Sequence, residues 1–536
     1  MPEFSDTLPA PGRTVSPLGR AEQPDPVPYR ASGRAPTFVV VAAGAMAVLV
    51  IAPVLLVIAS AVGGGAGEAA RLLFRPRTAE LLGNTVLLLV LTVPATIVVG
   101  IGAAWLVERT NLPAANVWRT ALLAPLAIPA FVSSYAWTSV LPSVQGLGGA
   151  VFITTAAYYP FVFLPAAAML RVLDQGHLDA ARSLGENGVG ALLRVVVPQL
   201  RPAVAGGALL VALHLLAEFG VLQMMRYPTF ATAIMQQYAV GFSTAAGSVF
   251  AGVLAVLCLL VLVVEVPLRG RARIARSGPG TTQRAIAVPL RRWTGLAVIS
   301  LSAVVLLALV TPLALVVRWL LVAGRAGNVD LGGLIVATVT TVFLAGLAGL
   351  VASLAALPGA WLTQRHRSGL ATTFERVTFV ASALPGVVIG LSLITLAVQW
   401  ARPMYQTVGL LVLAYSILFL PRAMVSWRSG LAAAPPELAE ASRALGVGGV
   451  GTLVRVVFPL VLPSALTGFV LVTLATVTEL TATLLLAPTG TQTLATGFWA
   501  AADELDYVAS APYAAVMIVL SAPLTLLLRR QILDQR

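Results

Sequence analysis

"DAARSLGENGVGALLRVVVP", residues 179–198, recurs later in the chain as "EASRALGVGGVGTLVRVVFP", residues 440–459. Twelve of the twenty positions are identical, and both copies place arginine and glycine between long apolar runs. A polar segment that appears twice in a hydrophobic chain indicates two homologous halves. Each half is therefore expected to carry one such loop.

The composition predicts a membrane protein. Of the 536 residues, 58% are hydrophobic and 10% are charged, which is too little charge to cover the surface of a water-soluble protein of this length. Apolar runs of about 20 residues recur, and each is long enough to cross about 30 Å of hydrocarbon. These runs lack the apolar–polar alternation of membrane strands, which favours helices over a barrel. The sequence therefore predicts an all-α integral membrane protein.

We predict about twelve transmembrane helices in two parallel six-helix halves. Their expected limits are 37–62, 81–106, 119–141, 149–171, 202–225, 247–267, 294–322, 334–362, 374–399, 407–428, 463–487 and 510–528. "AWL" at 104 and 360, "IPA" at 128 and "LPG" at 384, and "FLP" at 163 and 419 all lie 256 residues apart. Beyond Asp179 and Glu440 the offset is 261, because the second half carries a five-residue insertion around "AAAPPEL".

Arginine placement predicts the orientation. The N-terminal tail is rich in Pro, Gly, Ser and Arg and is expected to be disordered. The tail and the arginine-rich linker between the halves should lie in the cytoplasm, which puts both termini and both repeated loops on that side of the bacterial cell membrane. The predicted domains are the tail 1–36, the first half 37–268 with its loop 174–200, the linker 269–293, the second half 294–530 with its loop 431–461, and the C-terminus 531–536.

Two features of the composition exclude whole classes of chemistry. The chain contains no lysine, so it has neither a phosphate-binding-loop lysine nor a Schiff-base lysine and cannot form an ordinary ATP site of its own. A single cysteine, Cys258, excludes a disulfide or a cysteine-based metal site within the chain. The formal charge of +13 resides on arginines that flank apolar runs, which favours membrane orientation over nucleic-acid binding.

Each repeated loop begins with a short helix-forming stretch, "LDAARSLG" or "LAEASRALG", that a glycine ends. Such a helix, lying along the membrane surface, offers alanine and leucine side chains to a groove in a partner protein. Both loops are therefore expected to be docking sites.

The loops resemble the Glu-Ala-Ala signature loop with which permease subunits of bacterial ABC importers dock on their ATPases. The first copy has Asp in place of the Glu, and the second has Ser in place of the second Ala. The resemblance implies that two equivalent sets of residues contact the ATPases. The first set is Asp179, Ala180, Ala181, Arg182, Leu184, Gly185 and Pro198. The second set is Glu440, Ala441, Ser442, Arg443, Leu445, Gly446 and Pro459.

Three further stretches extend the resemblance to the fused two-half permeases of ferric-iron importers, which have the type I permease fold. They are "PLAIPAFVSSYAW" at 125, "LAEFGVLQMMRYPTFATAIMQQY" at 216 and "TELTATLLLAPTGTQTLATGFW" at 478. The resemblance implies transport of ferric iron or a ferric chelate, delivered by a periplasmic or lipid-anchored binding protein. It also implies a homodimer of ATPase subunits that binds ATP and Mg²⁺, while the permease itself holds no cofactor and is not an enzyme.

Other functions stay open at this point. Within the same transport class, the cargo could instead be thiamine, a polyamine, a phosphonate or sulfate. An ion-driven secondary transporter would also fit two parallel halves with intramembrane carboxylates, but it would leave the two docking loops without a purpose. An integral membrane enzyme is the least favoured class, because no nucleophile, base and metal cluster converge in the sequence.

Glu218 and Glu479 are carboxylates well inside apolar spans, and they are repeat equivalents. Each lies sixteen residues beyond a proline at the start of its span, which is about 24 Å along a helix. An intramembrane carboxylate costs on the order of 3 kcal/mol, so it normally faces a cavity or a partner. Ferric ion prefers hard oxygen ligands, which predicts that this pair contacts the metal transiently. The alternative is that each Glu caps or hydrogen-bonds a neighbouring helix.

The outer segments around 226 and 487 are expected to face the binding protein. Tyr227 and Tyr238 are candidate pathway residues there. Three acidic residues are candidate contacts, although a solvated loop is the favoured explanation for them. They are Asp503, Glu504 and Asp506.

Methionine and histidine offer no clear iron site in this sequence. Met224 and Met225 are expected to pack at a helix end, since thioethers suit Cu(I) rather than ferric ion. The histidines are scattered at 177, 214 and 366 without a second ligand at metal spacing. His214 is the one that lies in a span, where we expect a hydrogen bond to a neighbouring helix.

Overall fold

The computed structural model describes residues 36–63, 66–172, 183, 185, 190, 194, 196–238, 244–269, 288–327, 329–366, 369–382 and 384–533. These residues form helices, loops and one isolated β-bridge between Thr110 and Val288, so the all-α prediction is confirmed. The predicted tail up to residue 35 and most of the linker lie outside the described residues. Also outside them are Asp179, Ala180, Ala181, Arg182, Leu184 and His177.

The first half begins with a long apolar helix and continues through alternating long and short helices. They are α1 (Thr37–Gly63), α2 (Ala66–Leu73), α3 (Pro76–Arg109), α4 (Ala115–Leu123), α5 (Ala130–Thr138), α6 (Gly146–Val172), α7 (Val197–Ala217), α8 (Gly220–Met224), α9 (Phe230–Gln236) and α10 (Thr244–Arg269). A 3₁₀ turn, Ala124–Ala127, extends α4 toward α5.

The second half follows the same order, with two π-helical segments. Its helices are α11 (Thr294–Val305), α12 (Thr311–Ala326), α13 (Leu331–Arg365), α14 (Gly369–Ser382), α15 (Gly386–Trp400), α16 (Val408–Ala432), α17 (Pro436–Ala444), α18 (Gly449–Thr452), α19 (Phe458–Val477), α20 (Thr481–Leu486), α21 (Leu494–Asp503) and α22 (Tyr507–Leu533). The π segments are Leu306–Val310, between α11 and α12, and Leu453–Val457, before α19.

The helices of the two halves correspond at the offsets that the sequence predicts. The ends of α3 and α13 are 256 residues apart, and the starts of α7 and α19 are 261 residues apart. In the first half α3, α6 and α7 pack against one another, and in the second half α13, α16 and α19 do the same. The internal repeat is therefore a repeat of structure, with three long helices at the centre of each half.

Fewer of the described helices than the twelve predicted spans have the length and hydropathy of a membrane crossing. Nine helices of the described chain are long and apolar enough to cross a membrane, or ten if the bent pair α4–α5 counts as one span. The predicted spans at 374–399 and 510–528 account for the difference. The first is divided into α14 and α15, and the described apolar part of α22, Tyr507–Pro523, is a shorter helix.

A proline explains the first break in each half. The axis bends by 88° between the α4 segment and α5, around Ile128 and Pro129, and the equivalent break around Leu384 and Pro385 separates α14 from α15. Each proline directly precedes the first residue of the next helix. Proline has no N–H to donate and disfavours the helical conformation of the residue before it, which favours the end of the preceding helix at this point.

A second break in each half lies farther along the chain. It separates α7 from α8 at residues 218–219 and α19 from α20 at residues 478–480. The two breaks of one half lie side by side, because α8 contacts α5 and α20 contacts α15. The spans predicted at 202–225 and 463–487 are thus interrupted near the glutamates that the sequence singles out.

The first long helix of each half packs on the other half. Helix α1 contacts α13, α14 and α15, and α12 contacts α5. Ser392 Oγ donates to the carbonyl of Pro53 at 3.0 Å, and Trp319 Nε1 donates to Ser139 Oγ at 3.0 Å. One buried apolar cluster accordingly runs through both halves and includes Phe131 and Phe498. The two halves are interlocked around the region where the broken helices meet.

Candidate functional site

The second break of the first half places Glu218 between two helices, at the C-terminal cap of α7 and two residues before α8. Its Oε1 accepts a hydrogen bond from the backbone N–H of Val221 at 2.9 Å. The hydroxyl of Tyr158, on α6, donates to its Oε2. Glu218 therefore caps the start of α8, where the exposed N–H groups of a helix stabilise a negative charge.

Glu479 occupies the equivalent place before α20, and its Oε1 accepts from the backbone N–H of Ala482 at 2.7 Å. The same oxygen also lies at the start of α15, where a Cβ atom added to Gly386 would come within 3.0 Å of it. Glycine at this position lets the carboxylate approach a second helix N-terminus. Two helix N-termini in the second half therefore converge on one carboxylate.

The two halves meet beside these carboxylates. A Cβ atom added to Gly220 would lie 2.7 Å from Cβ of Phe131, on α5, and 3.3 Å from Cδ2 of Leu480, in the other half. Gly220 lies two residues after Glu218 and Leu480 directly follows Glu479, so this contact brings the two carboxylates near each other. The structure thus brings the two predicted residues to one place, and it also gives each of them the capping contact that the sequence analysis raised as an alternative.

A resident metal centre does not follow from this geometry. In the residues that the structure describes, no three His, Cys, Asp or Glu side chains form a group that could hold a metal ion. Two carboxylates supply hard oxygen atoms, which suit brief contact with a passing ferric ion better than tight coordination. Transient metal contact at Glu218 and Glu479 stays a prediction.

Arg422 is a functional candidate that the sequence analysis overlooked, although it lies near the middle of the apolar helix α16. Its side chain is exposed, and its guanidinium carbon lies 4.9 Å from the centre of the Phe419 ring. Glu479, in its own half, and His214, in the other half, lie near it. Among the described residues it forms no ion pair within 4.0 Å. An arginine at this depth is costly unless it faces a cavity, so Arg422 belongs to the boundary between the halves.

His214 differs from its expectation. Its Nδ1 lies 2.7 Å from the carbonyl oxygen of Leu210, one turn earlier in the same helix. The ring packs against the rings of Phe161, at 4.6 Å between centroids, and Tyr158, at 5.6 Å. The expected hydrogen bond to a neighbouring helix is therefore wrong, because Nδ1 of His214 contacts a backbone carbonyl of its own helix, α7.

Tyr227 and Tyr238 fasten the outer segment of the first half. The hydroxyl of Tyr227 donates to the carbonyl of Asn84 on α3 at 3.0 Å, and Asn84 Nδ2 donates back to the carbonyl of Pro228 at 3.0 Å. Tyr238 is partly buried and lies near Tyr405 of the second half. Their role as pathway residues stays a prediction.

Of the other outer residues, the three acidic ones are exposed and the two methionines are buried or partly buried. Asp503 and Glu504 are exposed at the end of α21. Asp506 Oδ1 accepts from the backbone N–H of Ala509 at 2.9 Å, at the start of α22. Met225 is fully buried in an apolar cluster, and Met224 packs partly buried against the same cluster. The methionines thus pack as expected.

The second repeated loop forms the short helix that the sequence predicts. Helix α17 ends in front of Gly446, which has a positive φ of 81°. The N–H of Gly446 donates to the carbonyl of Arg443 at 2.9 Å, and the N–H of Val447 donates to that of Ser442 at 3.1 Å. These two bonds form a Schellman motif, in which a left-handed glycine satisfies the last carbonyls of a helix. Leu445, the residue before Gly446, is 84% exposed and is therefore available to a partner.

In the first loop the structure describes too few residues to define a helix. Gly185 has a φ of 88°, close to the value at Gly446. Pro198 and Pro459 lie in the first turns of α7 and α19, respectively. Both glycines therefore hold the backbone conformation that few other residues adopt.

Comparison with known proteins gives one consistent result. Residues 96–265 and 348–536 match the family described as binding-protein-dependent transport system inner membrane component. The chain is 32% identical over 480 residues to an Fe(3+)-transport system permease protein of Haemophilus influenzae, which covers 89% of this chain and 95% of that protein. It is 25% identical over 394 residues to a ferric transport system permease protein of Actinobacillus pleuropneumoniae, covering 70% and 57% of the two chains. A sulfate transport system permease protein of Escherichia coli is 25% identical over 194 residues, covering 33% and 67%.

Proposed function

Because this chain belongs to the family of binding-protein-dependent transport system inner membrane components, we propose that it is the permease of a bacterial ABC importer for ferric iron. The observation that carries this proposal is the 32% identity to an Fe(3+)-transport permease over 89% of the chain. The similarity to a sulfate permease covers 33% of the chain, which is less than one of its two halves. Iron is therefore favoured over sulfate, and over thiamine, polyamines and phosphonates.

The proposed partners follow from the docking loops and the family. An extracytoplasmic binding protein delivers the cargo, and a homodimer of ATPase subunits binds ATP and Mg²⁺. The exposed Leu445 beside α17 is an apolar side chain of the kind that a groove in such a subunit would bind. The chain holds no cofactor and catalyses no reaction itself, which agrees with the absence of lysine from its sequence.

The proposed topology puts both termini and both docking loops in the cytoplasm. The arginine-rich tail and linker support this orientation. Cargo then passes between the two halves, beside Glu218 and Glu479. Rocking of one half against the other exposes this place to each side in turn.

The charges beside the pathway support a complexed form of iron as the cargo. At about 6 Å and an effective dielectric constant of about 20, Arg422 alone would repel a bare trivalent ion by about 8 kcal/mol, which works against the attraction of the two carboxylates. An anionic chelating ligand reduces this repulsion and gives Arg422 a group to bind. The carboxylates of Glu218 and Glu479 face the metal, while Arg422 faces the ligand.

The function is tested by reconstitution of the permease with its ATPases and binding protein in proteoliposomes. ATP-dependent accumulation of radioactive ferric iron is the expected result. Accumulation of sulfate or thiamine without iron would contradict the proposed cargo. Transport by the permease without any ATPase would favour the secondary-transporter alternative.

Substitution of Arg422 distinguishes complexed from bare iron by the sign of its effect. Arg422→Gln removes the charge that binds an anionic ligand, so uptake should fall roughly ten-fold, which corresponds to about 1.4 kcal/mol. Arg422→Lys keeps the charge and should retain more uptake. Faster uptake in Arg422→Gln would instead indicate a bare cation, because a repulsive charge would have been removed.

Arg318 provides the matched control for this measurement. It also lies in an apolar helix, with its guanidinium carbon 5.4 Å from the centre of the Trp319 ring. Its side chain is exposed and, among the described residues, it forms no ion pair within 4.0 Å. Arg318→Gln should leave uptake within about two-fold of the unmodified permease, as expected for an exposed charge without a close partner.

A further inference from the structure

Glu108 joins three helices near the end of α3. Arg119, on α4, contacts its carboxylate through Nε at 2.8 Å and Nη2 at 2.8 Å. Arg171, on α6, contacts it through Nε at 2.8 Å and Nη2 at 2.9 Å. Glu108, Arg119 and Arg171 form the first-half clamp, in which one carboxylate receives two forked guanidinium groups.

The first-half clamp is buried on the side of its carboxylate. The side chain of Glu108 is 2% exposed, whereas those of Arg119 and Arg171 are 19% and 24% exposed. A buried carboxylate is costly unless several donors satisfy it, and here four N–H contacts do so. The three helix ends are therefore fixed relative to one another much more firmly than a surface ion pair would fix them.

The position of the clamp connects two functional regions. Arg171 lies in the last turn of α6, and the predicted docking loop begins at residue 174. Arg119 lies on α4, which leads through the break at Pro129 into α5. Helix α5 carries Phe131, which packs on Gly220 beside Glu218. A continuous route thus runs from the docking loop through the clamp to the broken helix at the pathway.

The second half makes the corresponding connection with different residues. The repeat equivalents of the three clamp residues are Gln364, Glu375 and Trp427, none of which matches its counterpart in charge. Arg428, on α16, instead bonds Glu375, on α14, through Nη1 at 2.5 Å. These two side chains are 31% and 35% exposed.

A second contact in this half holds the start of the docking helix directly. Arg365, in the last turn of α13, donates from Nη2 to the carbonyl of Ala434 at 2.6 Å. Ala434 lies two residues before α17. Helices α13, α14 and α16 are therefore tied at the same end as α3, α4 and α6, but by weaker and more exposed groups.

We propose that these ion pairs are the transmission joints of the importer, and that Glu108 is the positioning residue of the stronger one. Movement imposed on the docking loop by the ATPases reaches α4 and α5 because Glu108 makes α6, α3 and α4 move together. This inference rests on the proposed ABC function. It adds that the two halves are tied unequally at this end, because the first-half clamp is more buried than the Arg428–Glu375 pair.

The test measures iron uptake and ATP hydrolysis in the same proteoliposomes, containing permease, ATPases and binding protein. Glu108→Gln is expected to lower the uptake per ATP hydrolysed at least ten-fold, while hydrolysis stimulated by the binding protein stays within about two-fold. Glu108→Asp keeps the charge and should restore part of the ratio. Glu375→Gln should lower the ratio by a smaller factor, because its pair with Arg428 is partly exposed.

Glu80 is the matched control on the same helix. It pairs with Arg77 at 3.0 Å, and both side chains are about half exposed. Glu80→Gln should leave the ratio unchanged. If Glu108→Gln does not assemble with the ATPases, Arg119→Lys replaces it, since lysine keeps the charge but loses the forked contact.

Two results would overturn the inference. One is an unchanged ratio in both Glu108→Gln and Arg119→Lys, and the other is an equal loss of uptake and hydrolysis, which indicates general damage. Failure of the proposed function looks different, because the unmodified permease would then bind no ATPase or move no iron. If it moves another solute, the ratio is measured with that solute and the inference is still tested.

Discussion

ATP-driven uptake is expected to fall to less than about one tenth when both Gly185 and Gly446 are replaced by valine, although the protein still inserts into the membrane. Both glycines have a positive φ, of 88° and 81°. An L-residue in this conformation costs roughly 1 to 2 kcal/mol, and a β-branched residue is less tolerated still. Valine at 446 would therefore abolish the Schellman bonds that end α17 and would turn the docking helix away from the ATPase.

The cause of this loss is conformational rather than steric, and Gly448 serves to show it. A Cβ atom at Gly446 or at Gly448 would meet nothing within 4 Å, but a positive φ occurs at Gly446 and not at Gly448. Gly448→Val should therefore retain most uptake, whereas Gly446→Val should not. The measurement combines uptake with co-purification of the ATPases. Normal uptake by the double variant would remove the coupling role from both loops.

The docking helix could be predicted from the sequence, because the residues that determine it are neighbours in the chain. A helix-forming stretch followed by glycine predicts a left-handed C-terminal residue, and Gly446 has that conformation. The repeat offset was equally accessible, since identical triplets fix it without any structure. The helix depends on residues a few positions apart and the offset on matching short segments, so neither depends on how the helices pack.

The broken spans were not predicted, although their signal was present. Pro129 and Pro385 belong to the matched triplets "IPA" and "LPG", and each ends the helix before it. Hydropathy counts apolar residues over a window and does not register a change of direction within it. Proline alone does not decide where a span breaks, because Pro165 and Pro421 also recur in both halves and lie inside α6 and α16.

The contacts of the first-half clamp could not be predicted from the sequence, for a different reason. Glu108 and Arg171 are 63 positions apart, and their contact depends on how α3 packs against α6. Charged residues at span ends predict orientation, which explains arginine there without any partner. Arg422 has a signal in the sequence, because a single arginine in the middle of an apolar run is costly in a membrane.

The pathway carboxylates provide the second large effect, and the choice of substitution decides what is measured. Glu218→Gln combined with Glu479→Gln should lower iron uptake at least ten-fold while ATPase docking stays intact, because the substitutions remove the negative charge that attracts a cation. Keeping each of these charges in the membrane costs on the order of 3 kcal/mol. A glutamine side-chain oxygen can still accept from the N–H of Val221 or Ala482, which are 2.9 and 2.7 Å from the present carboxylates. Capping is thereby preserved when charge is not.

Alanine at the same positions separates the two roles. Glu218→Ala and Glu479→Ala remove both cap and charge, and loss of a cap costs about 1 kcal/mol of stability. If the residues act as caps, the alanine variants lose thermal stability and the glutamine variants transport normally. If they act on the cargo, the glutamine variants are as inactive as the alanine variants but melt close to the unmodified protein. Both carboxylates already accept helix N–H groups, so the second outcome would show one pair of residues serving as fold and pathway together, with the broken helices existing to present them.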